Sequence, residues 1–398
     1  MRDLKNKWIH FLWVLVLSQA LVISAEEAAS VDTIQDDKTS FFDPDDGQLD
    51  LSQFLASASG FLPVPILITE PAVGYGGGAA LLFFHDKDKK GNESVVEENK
   101  EGSPTKKAPP SISGAAAFGT ENGTWGAGAF HMGVWKEDTI RYIGALFYAD
   151  VNLDFYGRPG NENSDISVGY NVAATMLYQR LLFRVKQSDY FLGADYIFAN
   201  SDMKLDTKIP EWPVLEDQIK EAGVGLIAQH DSRDNIFTPN SGNLSAAKYQ
   251  RYDHAVGGDR DYNKTQVKTY QWLPVHPKLV LGLRADAQFT SGDIPFYMLP
   301  FVDLRGIPAL RYQGAHVFVA ETELRWDFTR RWSAVGFIGS GWVADYHFDD
   351  FKESEAYVAG GAGLRYLIAK AYNMRVGADI ARGPEDTAFY LSVGSRWQ

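Results

Sequence analysis

The segment Val317–Phe328 constrains the fold more than any other part of the chain. Phe318, Ala320, Thr322, Leu324, Trp326 and Phe328 occupy alternate positions, and Glu321, Glu323, Arg325 and Asp327 fill the positions between them. Successive side chains of a β-strand point to opposite faces, so this segment has one oily face and one charged face. Lys278–Thr290 repeats the design, with Leu279, Leu281, Leu283, Ala285, Ala287 and Phe289 opposing Gly282, Arg284, Asp286 and Gln288. Asn373–Ala381 does so again, with Met374, Val376, Ala378 and Ile380 against Arg375, Gly377 and Asp379. Soluble sandwiches also alternate, but their strands average about 5–6 residues. These segments match the ~9–11 tilted residues that cross a bilayer. An open edge in lipid would leave backbone groups unsatisfied at several kcal/mol each, so such a sheet must close. The expected fold class is all-β: a transmembrane antiparallel β-barrel with hydrocarbon outside and an aqueous interior.

Fifteen such segments lie between residues 73 and 397, separated by clusters of Gly, Asn, Asp and Pro. Single-chain bacterial barrels have an even number of strands, which predicts sixteen. The missing strand is expected in Phe61–Thr69 or inside the overlong 165–186 segment. Trp326, Phe328 and Trp397 lie near strand ends and suit an interfacial aromatic girdle. Short turns at Lys136-Glu137-Asp138, Gln187-Ser188-Asp189 and Thr329-Arg330 read as periplasmic. The longer connections at about 153–164, 202–216, 255–262, 291–311 and 345–355 would face outward. Asp86–Pro110 is rich in lysine and glutamate and reads as a flexible, solvated loop.

Arg2, Lys5 and Lys7 precede an apolar run from Trp8 to Ile23, and Ser24-Ala25 then gives way to Glu26-Glu27. That order is expected of a secretory signal peptide covering residues 1–25. Residues 26–60 read as an acidic periplasmic linker. Asp43, Asp45 and Asp46 lack the ligand pattern of a calcium loop, so solvation is the default reading for them. Leu49, Leu51 and Phe54-Leu55 could form one short amphipathic helix in or under the barrel mouth. The barrel itself is expected over 61–398. With no cysteine in 398 residues, neither disulfides nor thiolate metal sites arise. A net charge of −13 argues against nucleic-acid partners, which need basic surface.

Two motifs stand out within the strand pattern. Asp231-Ser232-Arg233-Asp234-Asn235-Ile236-Phe237-Thr238-Pro239-Asn240-Ser241-Gly242 sits between two strands and is built of turn-forming residues. Leu304-Arg305-Gly306-Ile307 ends a long apolar loop, five strands before the C-terminus and just ahead of a glutamate-lined strand. Together they resemble the BamA/TamA superfamily of bacterial outer-membrane barrels, the surface antigen family. Asp231, Arg233, Asp234, Asn235, Pro239 and Gly242 look like its mid-barrel periplasmic turn. Arg305, Gly306 and Ile307 look like its lumen loop motif, although Ile307 replaces an aromatic residue. The resemblance implies that the loop folds into the lumen and that Arg305 pairs with Glu323. Gly336-Phe337-Ile338-Gly339-Ser340-Gly341 resembles the following strand motif, with Gly339 in place of an acid, so Arg305 is expected to have one partner fewer. Phe389, Leu391, Val393 and Trp397 resemble the terminal assembly signal, with Gln398 displacing the aromatic by one. The chain reads as a short member without the periplasmic POTRA domains.

No catalytic, cofactor or metal set is expected. His230 and Asp231 are neighbours in a strand and point apart, while His254-Asp253 and Ser241 complete no triad. Gly74-Tyr75-Gly76-Gly77-Gly78 lacks the helix of a phosphate loop and reads as a first barrel strand. The expected function is a non-enzymatic structural, transport or assembly barrel in the bacterial outer membrane. Its expected partners are membrane lipid, the envelope assembly machinery during insertion and a periplasmic protein. A passive porin-like channel and an outer-membrane hydrolase are the alternatives.

Overall fold

The structure, a computed structural model, describes residues 41–53, 62–68, 73–85, 111–156, 167–205, 216–295, 298–345, 351 and 354–397. The expected signal peptide over 1–25, Phe54-Leu55 of the expected short helix, and the stretch 86–110 expected to be a loop lie outside the described residues. The first eight strands are β1 (Leu62–Ile68), β2 (Gly76–His85), β3 (Ser111–Thr120), β4 (Trp125–Trp135), β5 (Ile140–Tyr156), β6 (Ser167–Arg184), β7 (Tyr190–Leu205) and β8 (Glu216–Asp231). The next four are β9 (Gly242–Tyr252), β10 (Tyr262–His276), β11 (Leu279–Gly292) and β12 (His316–Trp326). β13 (Trp332–Ala344), β14 (Tyr357–Ala369), β15 (Met374–Arg382) and β16 (Thr387–Val393) complete the set.

Each strand pairs with its neighbour in sequence, giving one 16-stranded antiparallel sheet rolled into a barrel. The sixteenth strand is β1, in the Phe61–Thr69 stretch, and 165–186 holds one strand of 18 residues. Pro63 and Pro65 obscure β1 in the sequence. They lie two apart, so their missing amide hydrogens fall on one side, and an edge strand tolerates that. β1 pairs with β2 alone and β16 with β15 alone; no β1–β16 ladder occurs among the described residues.

The outward face is apolar. Leu146, Leu226, Ile338, Leu364 and Ile380 are each more than half exposed. Such residues recur on strand after strand, giving a band that soluble monomers do not carry and that hydrocarbon would cover. Trp326 and Phe328 lie on this face near the short-turn end, as a girdle requires.

The inner face divides in two, which corrects the expectation of an aqueous interior throughout. In the C-terminal half Arg284, Glu321, Arg325, Arg365 and Asp379 point inward, as the alternation predicts. In the N-terminal half Val64, Leu82, Phe147, Val151, Val172 and Met176 point inward and are buried in one apolar cluster. These strands are apolar on both faces, so hydropathy alternation is weak in them. Phe237 and Met298 are part of that cluster, and Leu49, Leu51, Leu299 and Leu310 pack against it. Segments from both mouths therefore enter the barrel and keep this half dry.

Candidate functional site

The connection between β11 and β12 turns into the lumen. Its apolar residues Met298, Val302, Leu304 and Ile307 are almost wholly buried. Burial of this kind stabilises by about 1.5–3 kcal/mol per large side chain, enough to draw an apolar loop away from water. Gly339 and Gly341 on β13 leave the room it fills. A Cβ at Gly341 would lie 2.3 Å from Val302 Cγ1, and one at Gly339 would lie 2.7 Å from Leu304 Cδ2. At the loop tip Gly306 has φ +94° and its N–H donates to the Tyr390 hydroxyl at 2.9 Å. A side chain there would be strained by φ and would meet the Gly383 backbone at 2.8 Å.

This packing delivers the Arg305 guanidinium to three carboxylates. Nη2 donates to Glu321 Oε1 at 2.7 Å and to Glu323 Oε2 at 2.8 Å, and Nη1 donates to Asp379 Oδ2 at 2.9 Å. The Phe337 ring lies 3.4 Å from the guanidinium carbon, a cation–π contact on its flat face. Arg365 Nη2 donates to Asp379 Oδ2 at 2.9 Å, and Arg284 Nη1 to Glu321 Oε2 at 3.2 Å. The Arg305 side chain is 1 % exposed, so these bonds form where water offers little competition. The expected shortfall of one acid is thus corrected: Glu321 and Asp379 stand in where Gly339 supplies none. Asp379 reaches the site from β15, three strands from β12, by curvature of the wall.

The C-terminus enters the same network. Gly394, at φ +78°, turns the chain after β16, and its N–H donates to Arg375 O at 2.7 Å. Trp397 Nε1 then donates to Glu321 Oε2 at 2.9 Å, with Tyr270 and Trp272 rings 6.1 and 6.2 Å away. The residue is 3 % exposed. The girdle position expected for Trp397 is therefore wrong, because a partnered indole N–H inside the barrel replaces an interfacial one.

The Asp231–Gly242 turn crosses the short-turn mouth. Arg233 Nε donates to Asp231 Oδ1 at 2.8 Å, and Arg141 also pairs with Asp231. Asp234 Oδ1 accepts the Asn240 N–H at 2.9 Å, and Asn235 Oδ1 accepts the Phe237 N–H at 2.8 Å. Asn235 Nδ2 donates to Tyr372 O and Asn373 Nδ2 to Thr238 O, both at 2.8 Å, joining the turn to the β14–β15 connection. Pro239 O accepts from Arg325 Nη1 at 3.3 Å, and Gly242 has φ +101°. His230 donates to or accepts from Asn243 rather than meeting Asp231.

The same mouth carries a second cap, built from acidic residues expected to be solvated. Arg331 Nε donates to Asp46 Oδ2 at 2.7 Å and its other nitrogens pair with Asp43 and Asp50. Lys370 Nζ reaches Asp45 Oδ2 at 2.9 Å, and Tyr366 donates to Leu49 O at 2.8 Å. The Arg331 hydrogen bond holds the Asp46 carboxyl below its ordinary range. The backbone N–H of Asp45 does the same for Asp43. Burial pushes Asp50 up, but hydrogen bonds from Ser52 and Arg331 outweigh it and leave Asp50 lowered. Residues 41–53 are therefore docked on the barrel, since each carboxylate finds a cation or an amide there.

No known protein-family profile matches the chain, and no curated protein matches it. Solved structures do. BamA from Haemophilus ducreyi lacking POTRA domains 1–3 is similar at TM-score 0.54 and 12% identity, over 84% of this chain and 70% of that one. CdiB from Escherichia coli is similar at TM-score 0.57 and 12% identity, over 83% of this chain and 61% of that one. CdiB from Acinetobacter baumannii is similar at TM-score 0.53 and 9% identity, over 84% of this chain and 59% of that one. The chain thus spans about three-fifths of the CdiB chains. What these likenesses establish is the fold: the chain is built as a BamA-like and CdiB-like β-barrel.

Proposed function

We propose that this barrel works in a bacterial outer membrane as a non-enzymatic assembly or secretion device whose lumen is closed by a removable lock. The observation that carries the reading is Arg305. One inward loop is tied through it to β12 and β15, and Glu321 ties the same network to the C-terminal Trp397. A passive pore gains nothing from a buried guanidinium joined to both. Releasing Arg305 would free loop and terminus together, which suits a barrel that opens for a passing or inserting polypeptide. Asp231, Arg233, Asp234, Asn235, Pro239 and Gly242 would act as a structural seal on the other mouth. Membrane lipid, the insertion machinery and a periplasmic protein remain the proposed partners.

Conductance in planar bilayers tests the lock. The wild-type barrel should be silent or flicker briefly, while Arg305→Ala should conduct for sustained periods. A wild-type protein with a stable open channel would favour a passive pore, a reading that the charged inner wall of β9–β11 supports. Depleting the protein should lower the amount of some outer-membrane or secreted polypeptide; unchanged profiles would remove the assembly role while leaving the lock intact.

A further inference from the structure

A cavity of about 390 Å³ lies inside the barrel, between the β9–β11 wall, the inward loop and the C-terminal segment. Its charge is one-sided. Lys248, Lys264, Lys268, Arg284 and Arg396 line it, against the carboxylates of Asp286 and Asp303. Both carboxylates accept from Arg284, at 2.6 and 3.3 Å. Lys248 Nζ reaches a third, Asp195, at 3.3 Å. Lys268 faces Asp286 across the β10–β11 pair. Arg284 also pairs with Glu321, so the five lining cations face four carboxylates and still exceed them.

The three lysines also share one patch of the inner wall. Lys264 and Lys268 lie on the inward face of β10 on either side of Gln266, and Lys248 stands opposite Gln266 on β9. Ammonium groups that share one face of a confined space repel, and a bound oxyanion offsets that repulsion while accepting their hydrogen bonds. Across the cavity the lining changes to Leu299, Phe301, Val393 and Trp397. The volume falls in the range of small-molecule sites and exceeds what a bare oxyanion fills.

We propose that this cavity binds a phosphate-type oxyanion carried on an apolar group. The oxyanion sits against Lys248, Lys264 and Lys268, and the apolar part against Leu299, Phe301 and Val393. The site goes beyond the assembly reading and does not depend on it, because it requires only the inner wall and the folded-in segments.

Calorimetry on the full-length protein in detergent, with three probes, tests the assignment. Dihexanoyl phosphatidate, inorganic phosphate and dihexanoylglycerol separate a lipid headgroup from a free anion and from apolar binding alone. Phosphatidate should bind saturably, and affinity should fall by roughly tenfold or more in K264Q/K268Q, the loss of charge-assisted hydrogen bonds. K264R/K268R should restore it. Equal affinity for inorganic phosphate would overturn the apolar half of the proposal and support the oxyanion half. Diglyceride binding as tight as phosphatidate, unchanged affinity in K264Q/K268Q, or no saturable binding of either phosphate compound at millimolar concentration would overturn it. Folding of each variant is checked by its heat-dependent gel mobility. Should K264Q/K268Q not fold, K268Q alone must show the weakened binding.

Discussion

Replacing Arg305 with alanine removes the one cation shared by Glu321, Glu323 and Asp379. Arg284 still partners Glu321 and Arg365 still partners Asp379, so two of the three carboxylates keep a cation. Glu323 has no second cation among the described residues, but its side chain is 21 % exposed and water can reach it. Breaking a buried ion pair by deleting one member costs about 3–5 kcal/mol. The surviving arginines place R305A toward the lower end, about 3 kcal/mol, and Glu323→Gln, at the wetter contact, near 1 kcal/mol. Urea-driven unfolding in lipid vesicles, followed by tryptophan fluorescence, reads both values. Neutralising with the arginine the acid that depends on it, as in R305M/E323Q, should recover part of the loss, because the cost comes from stranded charge and Glu321 and Asp379 keep Arg284 and Arg365. R305A unfolding within about 0.5 kcal/mol of wild type, the usual range for a surface substitution, would refute the buried-lock reasoning.

Trp397→Phe should cost about 1–2 kcal/mol through the lost bond to Glu321, and Trp397→Ala about 3–5 kcal/mol, in the same unfolding assay. Equal and negligible losses would place the indole outside the barrel. Docking of residues 41–53 should depend on acid. Asp43, Asp46 and Asp50 have folded pKa values below the ordinary 3.8, so their contribution is complete above that pH and is lost as pH falls through the lowered values. Because the chain has no cysteine, a fluorophore on Asp45→Cys reports the segment alone. Its anisotropy should stay high at neutral pH, fall only once the pH drops below the ordinary carboxylate range, and fall at neutral pH in Arg331→Ala; a flat profile in both would contradict the cap.

The C-terminal half was legible because Glu321, Arg284 and Asp379 alternate with leucine, isoleucine and phenylalanine, and period two maps directly onto two solvents. β1 through β7 defeated that rule. Phe147 and Val151 face a dry interior while Leu146 faces outward, so no polar beat marks the inner side. Arg305 and Glu323 could be paired from a motif, whereas Asp379 lies three strands from β12 and becomes a neighbour only once the sheet is curved. Trp397 misled for a local reason: an aromatic at the chain end looks interfacial unless Gly394 is read as a turn. Asp43, Asp46 and Asp50 looked solvated because their partner, Arg331, is more than 280 residues away.

The central claim is that the β11–β12 loop lies inside the barrel against β13. Val302 Cβ is 3.1 Å from the position a Cβ would take at Gly341. A disulfide needs about 3.5–4.5 Å between Cβ atoms, so a separation of the two backbones by roughly half an ångström admits one, and no native thiol competes. Oxidising V302C/G341C in membranes should therefore give an intramolecular cross-link in the folded, heat-modifiable species and sustain the silent state in bilayers. A correctly folded variant whose two thiols stay reduced and freely alkylated would contradict the account.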